Sequence, residues 1–156
     1  METRLILVRH ATTAANRARP YVLQGSGHDN DLDDSGRKQA GAVAEALRAF
    51  DLAAVFSSPL KRAVETARRI AKGAGQRVEI IDALMEANVG QWEGENWEEI
   101  ERRWPNEYQA FMADCSQSGY LGGENFTQVR DRCLPAFDDL ASAWEGKTIA
   151  VVAHNV

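Results

Sequence analysis

Two histidines at opposite ends of the chain each follow an apolar run. Leu5-Ile6-Leu7-Val8 leads into Arg9-His10, and Thr148-Ile149-Ala150-Val151-Val152-Ala153 leads into His154. Open α/β sheets bind ligands at the carboxyl ends of their strands. Two strands ending in Arg-His and His therefore predict two imidazoles converging on one anionic pocket. A neutral imidazole with a free ring nitrogen can attack phosphorus and carry the phosphoryl group. That chemistry needs cations to neutralise the phosphoryl oxygens, and Arg does this with a planar fork. It also needs a group with a proton for the departing alkoxide. His10 is the nucleophile candidate and Arg9 adjoins it. Arg62 falls in the first turns of the helix expected after Ser57-Ser58-Pro59, where the helix N-terminus itself favours anions. His154 can donate a hydrogen bond to the phosphoryl group or carry positive charge. Glu86 follows the third expected strand and suits the acid.

These positions depend on the elements that carry them. Residues 4–8 read as a short buried strand. A long polar loop runs to about residue 34 and holds Gly25, Gly27 and the acidic cluster Asp29, Asp31, Asp33 and Asp34. Asp33 or Ser35 is the expected N-cap of a helix over about 36–49, with Ala40, Val43, Ala44 and Leu47 on one stripe. Residues 53–57 read as a second strand. Pro59 suits a helix's first turn, and the next helix runs to about Lys72 with Ala63, Ala67, Ile70 and Ala71 inward. Gly73 and Gly75 should end it. Residues 77–81 make a third strand. Two short helices, about 96–104 and 106–114, are expected on either side of Pro105, within an aromatic stretch that includes Trp92, Trp97, Trp104, Tyr108, Phe111 and Tyr120. We read about 92–123 as a helical insertion over the active site. A longer helix, about 125–144, places Phe126, Val129, Cys133, Phe137, Leu140 and Trp144 at three- and four-residue steps. Strands alternating with helices imply a mostly parallel sheet covered on both faces, a three-layer α/β/α sandwich in one domain over 1–156.

Bulk properties narrow the function classes. A formal net charge of −5 over 156 residues argues against a general nucleic-acid binder. No apolar run approaches the roughly 20 residues that span a bilayer, and no secretory leader is evident at the N-terminus. Cys115 and Cys133 have neither metal-ligand spacing nor a disulfide framework. The simplest location is cytoplasmic. His28 among its aspartates does not follow a calcium loop and reads as part of a solvated acidic loop. We expect no metal and no cofactor. The chain stops two residues after His154, so a truncated chain, or one completed by something outside this sequence, is expected. An exposed last strand would then favour pairing with another chain, as in a homo-oligomer.

The ordered motifs also resemble a known family. Arg9-His10-Ala-Thr-Thr-x-x-Asn16, Ser57-Ser58-Pro59-Leu60-x-Arg62-Ala63-x-x-Thr66-Ala67, Leu84-x-Glu86-x-x-x-Gly90-x-Trp92-Glu93-Gly94 and Ala153-His154 look like the histidine phosphatase superfamily, of phosphoglycerate mutase-like fold. The resemblance runs through essentially the whole chain. It implies that His10 is phosphorylated, that Arg9, Arg62 and His154 hold the phosphoryl group, and that Glu86 is proton donor and then base for water. It places Asn16 at the same pocket, although that residue also suits a turn cap. Gln24-Gly25 matches a loop that reaches phosphate or substrate. Gly122-Gly123-Glu124-Asn125 resembles the Gly-Glu-Ser turn at the pocket rim. Ala11 and Thr12 depart from the family's usual Gly and Glu.

The reading is a metal-independent phosphomonoesterase acting through a phosphohistidine on His10, with a small phosphorylated metabolite as substrate. Phosphoglycerate mutase-type transfer is the nearest alternative. A non-catalytic phosphate-binding or interaction module is the alternative from another class.

Overall fold

A computed structural model describes residues 2–154. Four strands form one parallel sheet: β1 (Arg4–Arg9), β2 (Leu52–Ser57), β3 (Val78–Ile80) and β4 (Thr148–Ala153), in the order β1-β4-β2-β3. Buried on both faces, β2 and β4 are apolar almost throughout, as parallel strands must be. Alternation sends Ile6, Val8, Val55, Ala150 and Val152 to one face. There they pack on α2 (Asp34–Leu47) and α3 (Lys61–Ala74) through Leu47, Ala63, Ala67 and Ile70. Leu5, Ala54, Phe56, Ile149 and Val151 point the other way, toward Leu140, Phe137 and Trp144 at the end of α6 (Phe126–Ala143). The result is a three-layer α/β/α sandwich.

The helices follow their local signals with small shifts. Asp33 caps α2, its Oδ1 accepting the Gly36 amide at 2.7 Å. Gly36 is required there because a Cβ would collide with the Thr12 carbonyl, so α2 sits hard against the segment after His10. The third helix runs through Gly73 and ends at Gly75, which takes the left-handed conformation at φ 68°. Its first amide, on Lys61, is capped from a distance by Asp29 Oδ1 at 2.6 Å. Asn125 caps α6 in a reciprocal pair with Gln128. The long polar loop also contains α1 (Ala14–Arg17), a single turn capped by Thr13. Four residues with no apolar period give a sequence reading nothing to detect.

The expected short helices are α4 (Trp97–Arg103) and α5 (Pro105–Ala113), with Pro105 at the first position of α5. They build a second core around Trp92, which is fully buried. Trp97, Phe111 and Tyr120 meet its ring edge-on at 5.4–6.1 Å between centroids. Leu23, Ala87 and Val89 complete this core, so it fixes two loops that lead to the site.

One expectation is corrected. The last strand does not form the exposed edge: β4 lies between β1 and β2, and its four central residues are buried. The edge strands are β1 and β3, where Leu7 and Ile80 are exposed. A groove of about 540 Å³ runs between β1 and α6, lined by Leu7, Val129, Leu134 and Phe137, and reaches Arg9, Glu86 and His154.

Candidate active site

Strand order brings the two histidines together. β1 and β4 pair in register from Arg4↔Thr148 to Arg9↔Ala153, and the His10 amide continues the ladder to the Ala153 carbonyl at 2.9 Å. The two imidazoles therefore leave adjacent strands at one level, with ring centroids 5.2 Å apart. On the other side of β4, the Ser58 amide bonds the Val152 carbonyl, and Ser58 Oγ lies 2.7 Å from His154 Nε2. Three strand ends thus contribute one cluster.

His10 is buried, 7 % exposed, with Nδ1 2.7 Å from the Ala11 carbonyl oxygen. A carbonyl can only accept, so Nδ1 carries the proton and Nε2 keeps its lone pair. Burial chiefly lowers the His10 pKa to about 4; Arg62 and Arg9 add to the lowering, while the bond to Ala11 opposes it. His10 is therefore a neutral imidazole with one free nitrogen at ordinary pH. Thr66 holds the turn beyond it, accepting the Ala11 amide at 3.0 Å and donating to the Arg62 carbonyl at 2.8 Å.

Arg62 is fully buried. The stripe that buries Ala63, Thr66 and Ala67 in α3 carries it inward at the first turn. Its guanidinium donates to the His28 carbonyl at 2.7 Å and the Gly25 carbonyl at 3.0 Å, and its Nε has no hydrogen-bond partner among the described residues. Glu93 fixes the loop from the other side, accepting the Gly25 amide at 2.6 Å and the Gly27 amide at 3.0 Å. Truncating Glu93 to alanine leaves both amides without their charged acceptor and lets the loop carrying Arg62's carbonyl partners drift. We expect a stability loss of about 1–3 kcal/mol by urea denaturation.

Glu86 sits between two 3-10 turns, at 82–84 and 90–92. Its Oε1 accepts the Ala87 amide at 2.9 Å, and its Oε2 lies 3.9 Å from His154 Nδ1. Burial raises its pKa above the ordinary carboxylate value, while the Ala87 amide and the charges of Arg62, Arg9 and Arg132 pull the other way. An upward shift is the direction an acid role requires. For His154, burial first, then Arg62 and His10, lower the pKa to about 2. At ordinary pH the His154 ring is therefore a neutral imidazole.

Other sequence-predicted residues sit as follows. Arg9 is exposed at the end of β1 on the groove side. Asn16 acts in the α1 cap, its Oδ1 3.0 Å from both the Thr13 amide and hydroxyl. Gln24 is buried; Oε1 accepts from Thr13 at 2.8 Å and Nε2 has no partner among the described residues. Gly25 offers Arg62 a carbonyl, and its amide is already taken by Glu93, so it holds the arginine and has no free amide for substrate. Asp29 and Asp33 cap helices, which explains part of the acidic loop. Ser58, Thr66, Glu93 and Arg132 support the site and had no role assigned from sequence. Ser58 and Thr66 stand inside the second motif and Glu93 inside the third, which was the available signal.

Comparison with known proteins fits this geometry. The profile of the histidine phosphatase superfamily, branch 1, matches residues 5–156. A metal-independent phosphoserine phosphatase of Arabidopsis thaliana is 39% identical over 159 residues, covering 98% of this chain and 64% of its own. Phosphoserine phosphatase 1 of Hydrogenobacter thermophilus is 33% identical, covering 98% of this chain and 71% of its own. The solved structure of a mycobacterial glucosyl-3-phosphoglycerate phosphatase superposes with a TM-score of 0.85 at 30% identity, over 97% of this chain and 73% of that one. The chain belongs to the histidine phosphatase superfamily, branch 1. It spans just under two thirds of the Arabidopsis relative's length.

Proposed function

We propose that this protein is a metal-independent phosphomonoesterase that works through a phosphohistidine on His10. The observation that carries the reading is the His10 tautomer: Nδ1 bound to the Ala11 carbonyl leaves Nε2 as a lone-pair nucleophile beside a buried guanidinium. Nε2 attacks phosphorus, the bond from phosphorus to the ester oxygen breaks, and Glu86 gives its proton to the departing alkoxide. Glu86, now a carboxylate, takes a proton from water. The water oxygen attacks phosphorus, the N–P bond breaks, and neutral His10 and inorganic phosphate are restored. Arg62, Arg9 and His154 stabilise the phosphoryl charge, with Gln24 Nε2 and Asn16 at the margin. Charge neutralisation by side chains gives a route with no metal. The relatives act, by name, on phosphoserine and glucosyl-3-phosphoglycerate, and a small phosphorylated metabolite is the substrate class we assign. Residues 92–123 are read as a helical insertion of the same domain, with Tyr120 close enough to Glu86 to feel its charge. The two free thiols, Cys115 and Cys133, suit a cytoplasmic setting.

The test is phosphate release from an alkyl phosphate, whose leaving group needs a proton, in excess EDTA across pH. His10 must be neutral, so kcat/KM rises as pH climbs through about 4. Glu86 must be protonated, so kcat/KM falls as pH climbs through a value raised above the ordinary carboxylate's. Turnover that survives chelation and follows an acidic bell supports the proposal. Turnover abolished by chelation and restored by a divalent cation overturns it.

A further inference from the structure

Glu86 must present its carboxyl from a stretch that neither a strand nor an α-helix holds. The stretch is held instead by one side chain from α6. Arg132 Nη1 donates to the Ala83 carbonyl at 2.6 Å and the Met85 carbonyl at 2.7 Å, and Nη2 donates to the Glu86 carbonyl at 3.3 Å. The same guanidinium grips the Glu124 carboxylate through Nε at 2.8 Å and Nη2 at 3.0 Å. Glu124 completes the hold on the far side of Glu86: its Oε2 accepts the Asn88 amide at 2.8 Å, and its own amide donates to the Asn88 carbonyl at 2.8 Å. The turn carrying Glu124 can come this close because Gly123 has no Cβ, which would collide with the Asn88 carbonyl.

The two holds leave the 86–87 peptide suspended between fixed points. Among the described residues, that peptide supplies the one hydrogen bond on the Glu86 carboxyl, from the Ala87 amide to Oε1. Its orientation sets where Oε2 lies against His154. Arg132 and Glu124 are each about three-quarters buried at the side chain, so the pair is poorly screened by solvent. A lysine keeps the charge but is a single point. It cannot reach three carbonyls and both carboxylate oxygens at once.

We propose that Arg132, braced by Glu124, is a positioning residue that aims the proton of Glu86 at the leaving-group oxygen. The proposal rests on the acid role assigned to Glu86 above. It makes a distinction that general loosening does not. A p-nitrophenolate leaves with little need of a proton, whereas an alkoxide cannot leave without one.

The experiment measures kcat/KM for wild type, Arg132→Lys, Glu124→Gln and Glu86→Gln on phosphate esters of graded leaving-group basicity, from p-nitrophenyl to alkyl phosphate. Thermal midpoints are recorded for each. Arg132→Lys should lose about 10²-fold on the alkyl ester and about threefold or less on the p-nitrophenyl ester. Glu124→Gln should show the same slope more weakly, and Glu86→Gln more strongly. An equal loss on every ester in Arg132→Lys and Glu124→Gln, with a steep slope in Glu86→Gln, overturns the positioning role and leaves the acid intact. A flat response in Glu86→Gln overturns the acid role and this proposal with it. If Arg132→Lys fails to fold, the slope of Glu124→Gln decides alone.

Discussion

Replacing His10 with alanine lowers kcat/KM for p-nitrophenyl phosphate by at least about 10⁴-fold, a loss of the size seen when a covalent nucleophile is deleted. Every other group at the site survives the change. Arg62 keeps its loop carbonyls, His154 keeps Ser58, and Glu86 keeps the Ala87 amide. None of these can form the bond to phosphorus. The loss is therefore chemical, and a stability measurement separates it from unfolding. His10 has its pKa lowered from 6.5 to about 4 in the fold, mainly by burial. Below pH 6.5 the unfolded chain binds a proton that the folded chain refuses, so stability drains away as pH falls from 6.5 toward 4. The alanine variant has no such group at position 10. It should lose less stability than wild type over that window while remaining inactive on both sides of it.

Arg62→Ala is the second large effect. The guanidinium is buried, and burial lowers its pKa while Glu86, Asp29 and Glu93 counteract this. Its removal takes away a preorganised donor from a water-poor site, which costs about 10³-fold in kcat. It also leaves the Gly25 and His28 carbonyls without their donor, at about 1–3 kcal/mol each where they are out of reach of water. Arg62→Lys restores a charge but not the fork, so it should recover stability better than rate. Inorganic phosphate provides the direct readout. Phosphate should raise the thermal midpoint of wild type and leave that of Arg62→Ala unmoved. An equal rise in both would place the phosphoryl group away from Arg62.

The features legible in the sequence share a physical trait: each sits where a local pattern breaks. The apolar run before His10 and that before His154 are strands because they are short and buried. The histidines matter because each is the first residue past its strand. Asp33 before α2 and Gly75 after α3 were legible for the same reason, as caps at the ends of periodic segments. Strand order was not legible. Nothing local in Thr148–Ala153 states that β4 inserts between β1 and β2, so the last strand was expected to be exposed and is interior. The supporting residues were hidden by their chemistry. Glu93 and Arg132 are charged residues in polar surroundings, and such residues usually face water. Only the fold shows that Glu93 reaches back to Gly25 and Gly27, and that Arg132 reaches across to carbonyls 83, 85 and 86. Gly25 was placed at the site correctly as a position, but its task is set by a hydrogen bond to Arg62 that no spacing encodes.

The central claim is a covalent bond between His10 and phosphorus, and Glu86→Gln is the variant in which to look for it. With p-nitrophenyl phosphate the first step needs little acid, while the second step lacks its base, so the intermediate should accumulate. The measurement is the intact mass of this variant, quenched in base during turnover, followed by peptide mapping. One added phosphoryl group located on His10, and absent when His10 is also replaced by alanine, is the result the mechanism predicts. A variant that releases p-nitrophenolate with no adduct, or with the adduct on another residue, would contradict it.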